Sequence, residues 1–185
     1  RVIPVVKTPQ QEYLQDTSYI IDVLEGRYQH RGITPPGAKQ KMISALFEMW
    51  ADEWLLIPAM HYRWNKDNSP FIYQEFGRVV MPNMPAWIRG FWGRSVAKKF
   101  KGFVPILGIT DATTAAIESW YEDHVLSLLN THFAKNDYLL GDRPCLGDFG
   151  LMGPLYAHLY RDPVPGKIMA QLAPHVVRWI ERMNQ

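Results

Sequence analysis

The sequence predicts a mainly helical protein preceded by a small β-β-α unit, and three observations lead to that class. A β-branched run, Val2 to Val6, is followed by turn residues Thr8-Pro9-Gln10-Gln11 and a second short strand at Glu12-Tyr13-Leu14. Gln29 to Gly37, with Gly32, Pro35, Pro36 and Gly37, breaks every periodicity and reads as a linker. From Ala38 onward apolar residues recur at helical spacing. The predicted organisation is therefore residues 1–28 as one unit, 29–37 as a linker and 38–185 as a helical domain.

Each element has a local reason. After the hairpin, Asp16-Thr17-Ser18 offers capping side chains to a helix whose apolar residues Ile20, Ile21, Val23 and Leu24 run to about Arg27. In the next helix Met42, Leu46, Met49, Trp50, Trp54 and Ile57 are expected to face the core, with Lys41, Ser44, Glu48 and Asp52 opposite. Pro58 should kink or end that helix. Pro70, Pro82 and Pro85 bound shorter helical pieces between Asn65 and Pro105. A helix over Ala112 to Ala134 is expected to turn Ile117, Tyr121, Val125, Leu128 and Leu129 inward and Glu118, Glu122 and Asp123 outward. Another helix follows Cys145, and a last one carries Leu172, Val176, Trp179, Ile180 and Met183.

Composition narrows the function classes. The 185 residues carry 20 Lys plus Arg against 18 Asp plus Glu, and 47% are hydrophobic, so the chain is globular rather than a charged tail. No apolar stretch approaches the ~20 residues that span a bilayer. The single cysteine, Cys145, forms no intrachain disulfide, which points to a reducing, cytoplasmic setting. Phosphate-binding glycine loops, dinucleotide fingerprints, paired-cysteine zinc spacings and His-Glu-x-x-His are all missing, and no metal role is expected for the six scattered histidines. Ala86 to Pro105 holds Arg89, Arg94, Lys98, Lys99 and Lys101 interleaved with Trp87, Phe91, Trp92, Phe100 and Phe103. A nucleic-acid contact fits such a stripe, but a solvated basic face on an amphipathic helix fits better in a chain of net charge +2. Neither nucleic acid nor a membrane is expected as a partner.

Two segments together resemble a known family. Ile3-Pro4 with Leu14-Gln15-Asp16-Thr17-Ser18-Tyr19-Ile20-Ile21-Asp22-Val23-Leu24-Glu25 resembles the second half of the thioredoxin-like domain of cytosolic glutathione transferases. Downstream, Tyr138-Leu139-Leu140-Gly141-Asp142-Arg143-Pro144-Cys145-Leu146-Gly147-Asp148-Phe149 resembles the helix-capping segment of that family's all-helical domain. The implied fold is a glutathione-transferase-like C-terminal helical bundle preceded by a partial thioredoxin-like unit. The resemblance implies glutathione as co-substrate, bound by Ile3, Pro4, Asp16 and Thr17. A cis Ile3-Pro4 bond would bend the chain and free the Ile3 backbone to pair with the cysteinyl unit, a one-residue strand addition. Thr17 is expected to cap the following helix, whose N-terminus would receive the γ-glutamyl carboxylate while Asp16 meets its ammonium group.

The same resemblance sets the remaining expectations. Cys145 stands where a capping box wants Ser or Thr, with Asp148 in the matching later position, so the cap should be a poor one. The thiol-activating Tyr, Ser or Cys is expected upstream of Arg1, in a βαβ unit of ~30 or more residues, and a chain starting at Arg1 is expected to be catalytically silent. An electrophile pocket is sought at Met60, His61, Tyr62 and Trp64, where aromatic bulk meets few polar groups. Simple core packing explains these four equally well, and Arg63 reads as either a surface charge or a carboxylate partner. The intact protein is then a dimeric transferase joining glutathione to a small hydrophobic electrophile, or alternatively a binding or scaffolding module without turnover.

Overall fold

A computed structural model of the chain describes residues 4–28 and 32–185. Strands β1 (Val5–Lys7) and β2 (Tyr13–Gln15) pair antiparallel with Val6 opposite Leu14. The connecting turn is held by Thr8, whose hydroxyl accepts the Glu12 N–H at 3.2 Å. Helix α1 (Thr17–Arg27) starts at Asp16, whose carboxylate accepts the N–H groups of Ser18 and Tyr19. The cap is thus Asp16 and not Thr17, because an Asx side chain one residue earlier reaches both first-turn donors. Arg27 closes the unit onto the hairpin through a 2.8 Å pair with Glu12. The segment after α1 is tied back to it, since the Ile33 and Thr34 N–H groups both donate to the Glu25 carboxylate.

The helical part comprises α2 (Ala38–Glu53), α3 (Leu56–Trp64), α4 (Ser69–Val80), α5 (Ala86–Lys101), α6 (Thr114–Ser119), α7 (Ser127–Phe133), α8 (Leu146–Pro154), α9 (Pro163–Leu172) and α10 (Pro174–Met183). Prolines mark its starts. Pro58 does not break a helix: the break falls earlier, at Trp54–Leu55, and Pro58 sits in the first turn of α3, where no N–H is needed. The expected last helix is two, because Pro174 opens α10 directly after Ala173 closes α9.

α2 turns only part of its apolar stripe inward: Trp50 packs on the core, and Lys41 and Asp52 are exposed as expected. Its buried residues are Ser44 and Ala51, whereas Met42, Leu46 and Met49 are 60%, 50% and 55% exposed, and Trp54 is exposed as well. The cause is close packing on α8. A Cβ placed on Gly147 would lie 2.9 Å from the Ser44 carbonyl oxygen, and one on Gly150 would lie 2.8 Å from the Glu48 Cα. Small residues on both helices allow this approach, and the Ser44 hydroxyl accepts the Gly147 N–H at 3.0 Å. Met42, Leu46, Met49 and Trp54 are left outward.

A second departure follows from helix geometry. Between α6 and α7 the chain passes through a π-helical stretch, Trp120–Leu126. The extra residue per turn shifts the phase, so Leu126 is buried and Leu128 is exposed, while Tyr121, Val125 and Leu129 face inward as expected. A similar stretch, Leu155–Tyr160, follows Pro154, which cannot donate to the preceding turn.

The main core joins α2, α3, α7, α8, α9, α10 and the two π-helical stretches, with Tyr121, Leu151, Leu155, Leu159, Met169 and Trp179 fully buried. Trp179 stacks on Phe133 with centroids 4.8 Å apart. Beside it α4 and α5 form a hairpin with its own small cluster, Trp64, Ile72 and Ala97. The two helices touch backbone to backbone: a Cβ on Gly93 would lie 1.8 Å from the Tyr73 carbonyl oxygen, and one on Gly77 would lie 2.0 Å from that of Arg89.

Candidate functional site

The residues expected to hold glutathione fall at one end of the β-β-α unit. Ile3 lies outside the described residues, and with it the Ile3-Pro4 bond; Pro4, Asp16 and Thr17 are exposed. Asp16 has φ 80° and ψ 129°, a conformation that costs a non-glycine residue on the order of 1–3 kcal/mol and is concentrated at ligand-binding positions. Its carboxylate already serves the Ser18 and Tyr19 N–H groups, while its own carbonyl oxygen accepts the Ile20 N–H.

The proposed electrophile residues lie on α3, and most of them are packed. His61 is buried and its Nε2 lies 2.9 Å from the Glu118 carboxylate. Tyr62 is buried and donates to the Glu122 carboxylate; burial and that carboxylate push its phenol far up, so it remains a donor. Trp64 stacks on Phe76 at 6.1 Å. Met60 is half-buried between the two clusters. Glu118 and Glu122, expected on a solvent face, instead reach His61 and Tyr62 of α3, which packs against α6.

Arg63 is a carboxylate partner. Its Nε and one terminal nitrogen each lie 2.9 Å from the Asp162 carboxylate, which also receives the buried Asn68 amide at 3.2 Å. Arg63 and Asp162 border a cavity of about 310 Å³ with Phe71, Phe76 and Arg161. Nearby, burial and the Arg63 charge push the His158 imidazole down to about 4, so it is neutral at neutral pH.

A larger cavity, about 460 Å³, opens between α2, the Trp120–Leu126 stretch, α7 and Leu139–Leu140. Ile43, Phe47, Trp50, Trp120, Leu128 and Leu129 make its wall apolar. Two histidines border it, each tied at one nitrogen: His124 Nδ1 lies 3.3 Å from the Ser119 carbonyl oxygen and His132 Nε2 3.2 Å from that of Tyr138. Such a chamber suits a small hydrophobic molecule with one polar group. Met60, His61, Tyr62 and Trp64 take no part in its wall. It was not evident from the sequence because its residues come from three distant segments; the only signal was that α2 carries more large apolar side chains than one face can bury.

The remaining candidates are structural. Cys145 is buried, and burial pushes its thiol up from the ordinary value, opposite to what a nucleophile needs. Its thiol and its N–H both donate to Asp148, at 3.2 and 2.9 Å, so the capping box is completed from the acid's side. Among the described residues no cluster of His, Cys, Asp and Glu could hold a metal ion, and no helix is long and apolar enough to cross a membrane.

Residues 99–185 match the family model described as glutathione S-transferase, C-terminal domain. No curated protein matches the chain. The matched segment holds α6 to α10, the core around Trp179 and the Cys145–Asp148 box. Over these residues, just under half of the chain, the protein is similar to that family, and its fold is mainly α with a partial thioredoxin-like β-β-α unit ahead of the bundle.

Proposed function

We propose that the protein binds glutathione at the tip of α1 and, in its intact form, adds the glutathione thiolate to a small hydrophobic electrophile. The observation that carries the reading is Asp16. It is held in a strained conformation at the position that the family resemblance gives to the acid contacting the γ-glutamyl ammonium. Asp16 and Thr17, with Ile3 and Pro4, form the glutathione site in this reading, and an exposed helix start favours the γ-glutamyl carboxylate. The 460 Å³ cavity replaces Met60, His61, Tyr62 and Trp64 as the proposed place for the apolar ligand, since it offers open apolar volume where those four are packed. The protein works in the cytoplasm as a homodimer, and the thiol-activating group is not Cys145.

A non-catalytic binding module is the second reading, since a fold does not by itself supply chemistry and burial leaves Cys145 unable to furnish a thiolate. Retention on immobilised glutathione, paired with conjugation of an aryl halide, separates the two. Retention with turnover supports the transferase, and retention alone supports the binding module. Release of the protein from the resin by Asp16→Ala is expected in both cases; if Asp16→Ala is retained as well as the parent, the glutathione site lies elsewhere.

A further inference from the structure

The α4–α5 hairpin carries a surface that neither the core nor the glutathione reading uses. Residues 69–107 contain six Lys or Arg and one acid, Glu75, in a chain whose net charge is only +2. Arg78 and Arg89 bracket ten consecutive uncharged residues, Val79 to Ile88, which end α4, form the turn and begin α5. This apolar tip is outward: Val79 is 84% exposed and Trp87 76%, with Val80 and Met84 exposed as well.

Behind the tip one face of α5 continues the pattern. Trp87, Phe91, Arg94, Lys98 and Lys101 follow at intervals of four, three, four and three residues, which places them in a single stripe along the helix. Phe91 is 72% exposed. Grooves of about 320 and 340 Å³ run beside the stripe, and both are lined by Tyr73, Phe91 and Arg94. Lys98 and Lys101 border the second groove, and the Arg94 guanidinium lies 5.2 Å from the centre of the Tyr73 ring. The sequence pattern suggested an amphipathic helix with a solvated basic face. The aromatics are exposed together with the basic residues, because α5 meets α4 through Gly93 and Ala97, leaving no room for large side chains between the helices.

We propose that this hairpin docks the protein on an anionic lipid surface. α5 lies in the interface plane, Trp87 and Phe91 enter the headgroup region together with the tip, and Arg94, Lys98 and Lys101 meet lipid phosphates. Tryptophan and phenylalanine on one side of a basic helix are the composition of an interfacial helix, and such binding needs no membrane span. Charge complementarity sets the occupant: a face with this cationic excess repels a second copy of itself and attracts anionic headgroups. Nucleic acid shares the charge but not the aliphatic tip, since Val79, Val80 and Met84 offer a base no flat surface for stacking.

Flotation of the whole chain with phosphatidylcholine vesicles, with and without phosphatidylserine, tests this. Binding is expected only to the anionic vesicles, with a blue shift of tryptophan emission, and high salt should weaken it. Lys98→Glu with Lys101→Glu should weaken it by about thirtyfold or more, since each basic residue near the surface contributes roughly fivefold. Trp87→Ser with Phe91→Ser should abolish it. Lys135→Glu with Lys167→Glu, the same charge change elsewhere on the surface, should leave it intact; all these side chains are exposed, and circular dichroism verifies folding. Equal binding to neutral vesicles, no binding, equal loss in the Lys135/Lys167 variant, or tighter binding to a single-stranded oligonucleotide than to anionic vesicles would each overturn the proposal. Glutathione retention is expected unchanged in every hairpin variant, so the two readings stand or fall separately.

Discussion

Asp148 is where one substitution should do most to the helical domain. Its side chain is completely buried and accepts four donors: Leu139 N–H at 3.1 Å, Cys145 N–H at 2.9 Å, the Cys145 thiol at 3.2 Å and Trp179 Nε1–H at 3.0 Å. It therefore pins the start of α8, the loop before it and α10 to one point. Asp148→Asn retains an oxygen for Leu139 and Trp179 but turns an NH2 group toward the Cys145 N–H. One buried donor is then unpaired, at a cost of about 2–3 kcal/mol. Asp148→Ala orphans three N–H groups; removing a buried charge offsets part of that loss, leaving a net destabilisation of about 4 kcal/mol. For a chain of this size each kcal/mol lowers Tm by roughly 2–4 °C, so falls of about 4–12 °C for Asn and 8–16 °C for Ala are expected. Thermal unfolding followed by circular dichroism measures both. An Asn variant melting with the parent would refute the view that this carboxylate organises the domain.

Three further expectations follow from particular contacts. Gly93→Ala drives a methyl group into the rigid Tyr73 carbonyl, so it should cost about 3 kcal/mol or more and speed hydrogen exchange across α4 and α5 while α8 and α10 keep their protection; uniform loss of protection would contradict a separately packed hairpin. His158, with its folded pKa near 4 and an unfolded value near 6.5, takes up its proton on unfolding between those values, so stability should fall as pH drops from about 6.5 to 4. Its partial exposure limits the effect to about 2 kcal/mol, and His158→Gln should flatten that part of the pH profile, as read from urea midpoints. Cys145→Ser should keep or raise Tm, because a hydroxyl donates more strongly to Asp148 than a thiol does; a clear fall would mean that Cys145 serves the core chiefly as a hydrophobe.

Local chemistry was legible along the chain. The hairpin, the place where α1 begins though not its cap residue, the prolines bounding α4 and α5, the helix after Cys145 and the Cys145–Asp148 box all rest on residues a few positions apart. The box itself had been expected to be weak because sulfur accepts poorly; the acid's half of it carries the contact instead. Missing from the pattern were the partners of Asp148, since Leu139 and Trp179 lie 9 and 31 residues away. The same holds for His61 and Tyr62, whose carboxylate partners are 57 and 60 residues distant, and for Arg63, whose partner Asp162 is 99 residues on.

What the sequence determined by itself was the order of the main elements, because caps, prolines and apolar spacing act within one or two turns of the backbone. Which face of an element turns inward was decided only in the assembled structure. In α2, Met42, Leu46 and Met49 lost their inward place to Ser44 and Ala51, since close contact with Gly147 and Gly150 of α8 admits only small side chains. In α5 the meeting with α4 at Gly93 and Ala97 put the aromatics outside. Helices pack by the shape of the surfaces that meet, and hydrophobicity alone does not encode that shape.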